Sequence, residues 1–225
     1  MEWSREERGL ERASVPPGVS EAFWRLLLQE PLSDLTVLDV GTGAGRLALA
    51  LAPLAASVIG IDRDAEAIAA AQAQGALLGL SRAEFVVVDA ETTEYEAFDP
   101  GMVVAHLCMS DAIVARAARA LRTGQVLAFV AFHSEQWIET GRPSRFAYSE
   151  DKVRQVLTAA GFAVEHLEVE RDVRRFGSVE EALAAAIGLQ ERWRADGRWF
   201  RYVKFLEEGG RTLTRSHLIV KARRA

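Results

Sequence analysis

Three glycines at alternate positions, Gly41, Gly43 and Gly45, directly follow the apolar run TVLDV and open the helix-like stretch GRLALALAPL. Glycine at such positions serves a backbone that something must approach closely, or one that needs positive φ. A strand-to-helix turn of this kind also aims unpaired backbone N–H groups outward. The alternation then continues: SVIGID reads as a strand, DAEAIAAAQAQGALLG as a helix, AEFVVVD and MVVAHL as strands, SDAIVARAARALR as a helix ending near Gly124, and QVLAFVAF as a fifth strand. Strands and helices alternating in this way predict parallel strands joined by helical crossovers.

The flanks complete the pattern. Val19 to Glu30 has helical apolar spacing and reads as a leading helix. SEDKVRQVLTAAGF predicts a helix opened by Ser149 and Glu150 and closed by Gly161. AVEHLEVERDVRRF alternates like a strand with one wet face. Ser178 to Ala195 and Gly197 to Glu208 read as helices, and TLTRSHLIVKA as the last strand after the turn Glu207-Glu208-Gly209-Gly210. The composition, 225 residues with 49% hydrophobic and 26% charged, is that of a globular domain able to fold without a metal or a disulfide. The single cysteine, Cys108, fits a reducing, cytoplasmic setting, and the charged N-terminus MEWSREERGLER is unlike a signal peptide. No apolar run is long enough to span a membrane, and the net charge of −5 gives no chain-wide nucleic-acid footprint.

Two frames compete for the glycine turn. From Gly43, GAGRLA fits the G-x-G-x-x-A variant of the dinucleotide fingerprint, with Asp62 near the spacing of a ribose-binding acid. From Asp39, the stretch is D-x-G-x-G-x-G, which uses all three glycines and the acid. No Gly-Lys-Ser/Thr follows, so a phosphate loop is excluded. The second frame resembles the class I S-adenosylmethionine-dependent methyltransferases over roughly Leu35 to Ala131, with ARALRTGQVLAF similar to the family's R-x-L-x-x-G-G segment except that Gln125 replaces the second glycine.

That resemblance implies a single Rossmann-like α/β domain over residues 1–225: a seven-stranded, mostly parallel sheet with an antiparallel last strand and helices on both faces. It divides into an N-terminal leader over 1–34, a cofactor-binding half over 35–134, and a C-terminal half over 135–225 with a cap insert over about 176–210. It implies S-adenosylmethionine as cofactor, with Asp39, Gly41, Thr42, Gly43 and Gly45 along its methionine part, Asp62 at the ribose, Asp89 and Ala90 at the adenine, Arg63 among the cofactor-binding residues, and His106 at the end of the fourth strand, beside the transferable methyl. His106 is the candidate catalytic base or substrate ligand, with backbone-satisfied histidine as its alternative. His133 and Trp137 are candidate substrate residues. No cysteine or histidine cluster has metal-ligand spacing.

The expected partner is a small-molecule methyl acceptor, because AHLCMSD stands where nucleobase and glutamine N-methyltransferases carry Asn/Asp/Ser-Pro-Pro-Tyr/Phe. A modified nucleoside in RNA, a non-catalytic cofactor-binding sensor and, more distantly, an NAD(P)-dependent oxidoreductase stay open, as do monomer and homodimer. QERWRADGRWFRYVK, which interleaves arginines with aromatic rings, can either stack bases or lay its rings inward and leave its arginines wet. Substrate choice is expected in three segments outside the core: Val15 to Glu30, Ser134 to Tyr148 and Phe176 to Gly210.

Overall fold

The computed structural model describes residues 14–144 and 146–225, so the first thirteen residues of the expected leader, Trp3 among them, lie outside the described residues, as does Arg145. Seven strands form one sheet: β1 (Thr36–Val40), β2 (Ser57–Asp62), β3 (Ala83–Val87), β4 (Met102–His106), β5 (Val126–Phe132), β6 (Phe162–Arg175) and β7 (Thr212–Arg224). Their order is β3-β2-β1-β4-β5-β7-β6. The first five pair in parallel, with Asp39 opposite Gly60 and Val104, and Asp62 opposite Val87. Backbone bonds link His133 to Ser216 and Gln125 to Arg224, so residue numbers run oppositely along β5 and β7 and the last strand is antiparallel.

The helices are α1 (Glu21–Leu27), α2 (Arg46–Leu51), α3 (Ala65–Leu77), α4 (Asp111–Ala120), α5 (Glu150–Ala159), α6 (Val179–Ala186), α7 (Gln190–Ala195) and α8 (Arg198–Glu207). Local chemistry fixes their starts. Ser20, Asp64, Ser110 and Ser178 each accept a backbone N–H of the first turn, satisfying donors that have no intrahelical partner. The expected helix over Ser178 to Ala195 is broken by a 3-10 turn, Ile187–Leu189. That turn contains Gly188, whose lack of a side chain weakens helical propensity there. The leading helix is also shorter than the periodicity predicts, closing at Leu27 rather than Glu30. Pro31 follows shortly after, a residue that disfavours helix in its predecessor.

Contacts divide the chain into two compact units. Of the described residues, the first comprises 14–130, 153–167 and 219–225, the second 131–144, 146–152 and 168–218. In the first, Phe23, Trp24 and Leu27 of α1, Leu47 and Leu51 of α2 and Ile68 of α3 share a buried cluster with Met102 and Val104 of β4 and Ala128 of β5. Val103 and Ala105 alternate with these toward the opposite sheet face and are equally buried, the two-sided burial typical of parallel strands. The second unit has an aromatic core of Trp137, Phe176, Trp193, Trp199 and Tyr202.

Candidate functional site

The parallel strands of the first unit bring the sequence-identified acids to their C-terminal ends, where open α/β sheets bind ligands. Asp39 lies one residue before the end of β1, Asp62 ends β2, Asp89 stands two residues past β3, and His106 ends β4. Their environments differ, and so do their available roles.

Asp39 is only 1% exposed. Its Oδ2 accepts from the Thr42 hydroxyl at 2.7 Å and from the Ala48 backbone N–H at 3.2 Å. The carboxylate thereby ties the glycine turn to the first turn of α2, and acts on any ligand through that turn. Burial pushes its pKa up to about 6, against the two hydrogen bonds.

Asp62 is half-buried and holds the turn from the other side. Its Oδ2 accepts the Gly43 N–H at 2.9 Å and its Oδ1 accepts the Asp64 N–H at 3.0 Å. A carboxylate offers about four acceptor positions, so two remain after these bonds. The helix cap of α3 is Asp64, which accepts from Glu66 and Ala67. The capping role that Asp62 could have filled therefore belongs to its neighbour. Arg63, next to Asp62, is exposed.

The glycines divide the work. At Gly41 (φ +69) a Cβ would collide with the side chain of Cys108, and at Gly43 (φ +55) it would meet nothing within 4 Å. Gly43 thus presents bare backbone to open space, the condition for a ligand to lie along it. Asp89 is exposed, its Oδ1 accepting from the Glu91 N–H at 2.8 Å, and the Ala90 carbonyl accepts the Tyr95 hydroxyl at 2.7 Å. That second bond anchors the chain just past β3, since Tyr95 is fully buried.

His106 stands 6.2 Å, centroid to centroid, from the Phe23 ring. Burial, and secondarily the Arg46 guanidinium, push its pKa down to about 4, so the imidazole is neutral at physiological pH. Leu107 follows with φ +61, a left-handed conformation uncommon for a leucine, and its N–H is held by the Val130 carbonyl at 2.8 Å. This bend delivers Cys108 against Gly41. Burial pushes the thiol up to about 11, with the Asp62 and Asp39 carboxylates adding to the effect, so it is a protonated, unreactive packing group. Sequence reasoning missed the Gly41–Cys108 contact; a lone cysteine twice removed from a strand end carries no signal of what it will touch.

The remaining candidates fall in the second unit. His133, 6% exposed, places Nδ1 2.8 Å from the Ser216 hydroxyl and Nε2 3.2 Å from Glu150 Oε2, and both ring nitrogens are engaged in holding β5, β7 and the start of α5. Trp137, 7% exposed, packs on Phe132 and edge-on against Trp193, with the Arg198 guanidinium over its ring. Arg198 in turn donates to the carbonyls of Arg142 and Pro143. The loop that carries Trp137 is pinned through its own core, because the tryptophan has three aromatic or cationic neighbours to pack on. In QERWRADGRWFRYVK, Trp193, Trp199 and Tyr202 turn inward and Phe200 alone among its rings is largely exposed. Among the described residues no group of three or more His, Cys, Asp or Glu could hold a metal, and no helix is long and apolar enough to cross a membrane.

A parallel sheet with a glycine turn after β1, an acid ending β2 bound to that turn, and an acid past β3 places the chain in the Rossmann-like α/β class. A family model described as a methyltransferase domain matches residues 31–203. The chain belongs to this methyltransferase family, whose methyl donor is S-adenosylmethionine. Among solved structures, it is similar to the YcgJ protein of Bacillus subtilis (15% identity, 91% of this chain and 99% of that one, TM-score 0.73). It is also similar to an S-adenosylmethionine-dependent methyltransferase of Mesorhizobium loti (18%, 92% and 99%, 0.60). A third is the magnesium protoporphyrin IX methyltransferase of Synechocystis, solved with bound S-adenosylhomocysteine (18%, 91% and 80%, 0.59). At these identities the likeness speaks to the fold. None of the curated proteins compared with the sequence matches it.

Proposed function

We propose that the chain transfers a methyl group from S-adenosylmethionine to a small-molecule acceptor. The observation that carries the cofactor assignment is the Asp62 carboxylate, fixed by the Gly43 and Asp64 N–H groups with acceptor positions to spare beside an open glycine backbone. In this reading Asp62 takes the ribose hydroxyls, Gly41 to Gly45 lie along the methionine part, and Asp89 and Ala90 face the adenine, with Arg63 at the rim. The bound donor supplies a sulfonium methyl, open to in-line displacement by a nucleophile.

The chain's own contribution is alignment and exclusion of water, which lower the barrier without a strong base. His106 suits that mode. A neutral imidazole with so low a pKa accepts a hydrogen bond and orients an acceptor, but gives little driving force for abstracting a proton. A small acceptor is favoured over RNA by the inward turn of Trp193, Trp199 and Tyr202, which removes the rings a base-stacking surface would need. His133 and Trp137, both buried and partnered, act in this reading as packing residues of the second unit.

The test has two arms. Calorimetry should show binding of S-adenosylmethionine and S-adenosylhomocysteine and none of NAD or NADP; nicotinamide binding without sulfonium binding sinks the cofactor assignment. Incubation with methyl-labelled donor and separate pools of metabolites and RNA should place label in a metabolite fraction. Label in RNA alone overturns the acceptor class, and binding without transfer to either pool marks a sensor.

A further inference from the structure

The outer face of α2 carries an apolar groove that the cofactor site leaves unused. Its volume is about 490 Å3, and its walls include Pro16, Pro17 and Trp24 from the leader, Leu49 of α2, Leu54 beyond it, and Leu78 after α3. This size falls within the range of small-molecule sites, roughly 300–1,000 Å3. Leu78 is 54% exposed and its neighbour Leu77 80%. The rim at the end of α3 is therefore apolar surface facing water, set against a concave wall.

Among the described residues of that lining, Arg46 is the only charged one. It shares a face of α2 with Leu49 and Ala50, at i, i+3 and i+4. Among the described residues it makes no ion pair and no hydrogen bond. Its guanidinium lies close against the leader: a Cβ on Gly18 (φ +77) would stand 2.7 Å from Arg46 Nη1, so glycine is what lets the cation lie there. The result is an unpaired guanidinium at the head of an apolar trough. That pattern is complementary to a molecule with an anionic head, which the planar guanidinium binds well, and a hydrocarbon tail.

We infer that this groove is a second ligand site, for a free medium-chain carboxylate, with its head on Arg46 and its tail along Leu49, Leu54 and Leu78. Its lining shares no residue with the proposed cofactor set, although Arg46 directly follows Gly45 and acts electrostatically on His106, and the inference stands whether or not the methyl-transfer reading does.

Calorimetry on the full chain with sodium octanoate tests it. One saturable site is expected, with octan-1-ol bound at least tenfold more weakly because it lacks the charge. Arg46→Gln should bring octanoate down to the alcohol's level, whereas Arg46→Lys should keep part of the preference. Leu78→Asp, at an exposed position where folding is not at stake, should weaken octanoate at least fivefold and leave S-adenosylmethionine affinity unchanged. Equal octanoate affinity in the parent and Arg46→Gln overturns the inference. No saturable binding to the full chain does the same, whether another part of the chain or a second copy fills the groove. So does binding to phosphatidylglycerol vesicles without binding of the free acid.

Discussion

Two aspartates that look equivalent in the sequence divide into a positioning residue and a ligand-binding candidate once their hydrogen bonds are counted. Asp62 keeps acceptor capacity on a half-buried carboxylate, so Asp62→Ala should cost hydrogen bonds to a charged acceptor, each worth roughly 1.5–3 kcal/mol. S-adenosylmethionine affinity, read by calorimetry, should drop at least tenfold in a protein that still folds, because Asp64 and not Asp62 caps α3. Unchanged affinity would return Asp62 to a purely structural role. Asp39 offers a different measurement. Its folded pKa of about 6 lies above the ordinary value of 3.8, so the fold prefers the protonated acid. Its contribution to stability is fully present below about pH 4, declines as pH rises to about 6, and is then constant. The shift corresponds to about 3 kcal/mol. Urea midpoints at pH 4.5 and 6.5 should differ less in Asp39→Asn than in the parent; an identical difference in both would show that Asp39 is not the source.

At the scale of elements, the tie between the leader and the last strand is electrostatic as well as apolar. Glu30, just past α1, pairs with Lys221 and with Arg223, whose Nη2 lies 2.9 Å from Glu30 Oε1, and Arg223 also pairs with Glu165 of β6. Burial alone would raise the Glu30 pKa, but the Arg223 and Lys221 bonds outweigh it and hold it below the usual value. Glu165 is likewise lowered, chiefly by its bond to Arg223. Both carboxylates therefore add stability above their ordinary pKa, and that part is lost as pH falls through their lowered values. Lys221 and Glu30 are both almost buried, and removing one partner of such a pair leaves the other uncompensated. Glu30→Gln should cost about 2–3 kcal/mol by denaturant unfolding near neutral pH, toward the low side because Glu165 stays within 3.7 Å of Lys221. A loss under 0.5 kcal/mol would mean the network is solvated and idle. None of this was legible beforehand, since the partners are nearly two hundred residues apart in the chain. What was legible were local signals: the glycine turn, the strand-ending acids, and the helix starts at Ser110, Asp64 and Ser178. Those are set by backbone geometry over a few residues, which sequence spacing records. The inward turn of Trp137, by contrast, depends on Phe132, Trp193 and Arg198 arriving from three other segments.

Across the whole molecule, the cofactor candidates and the aromatic core belong to different compact units. Residues 41–45, 62–63, 89–90 and 106 fall in the first unit, and Trp137 with its ring partners in the second. A ligand that binds only the folded state adds about 2.7 kcal/mol of stability at a hundredfold excess over its Kd, and the groups it contacts gain the most protection from exchange. S-adenosylhomocysteine should accordingly slow amide exchange at 41–45, 62–64 and 89–91. Trp137→Ala acts elsewhere: it removes a large ring from a packed core, a change that costs roughly 3–5 kcal/mol, and it strips Arg198 of the ring beneath its guanidinium. Exchange should then accelerate over 134–141 and 190–206, while cofactor affinity stays within threefold of the parent. Hydrogen exchange with and without the ligand reads both effects in one experiment. Should the substitution abolish cofactor binding while the exchange of 190–206 stays slow, Trp137 would be a donor-site residue, and its ring would have to do more than fill the core of the second unit.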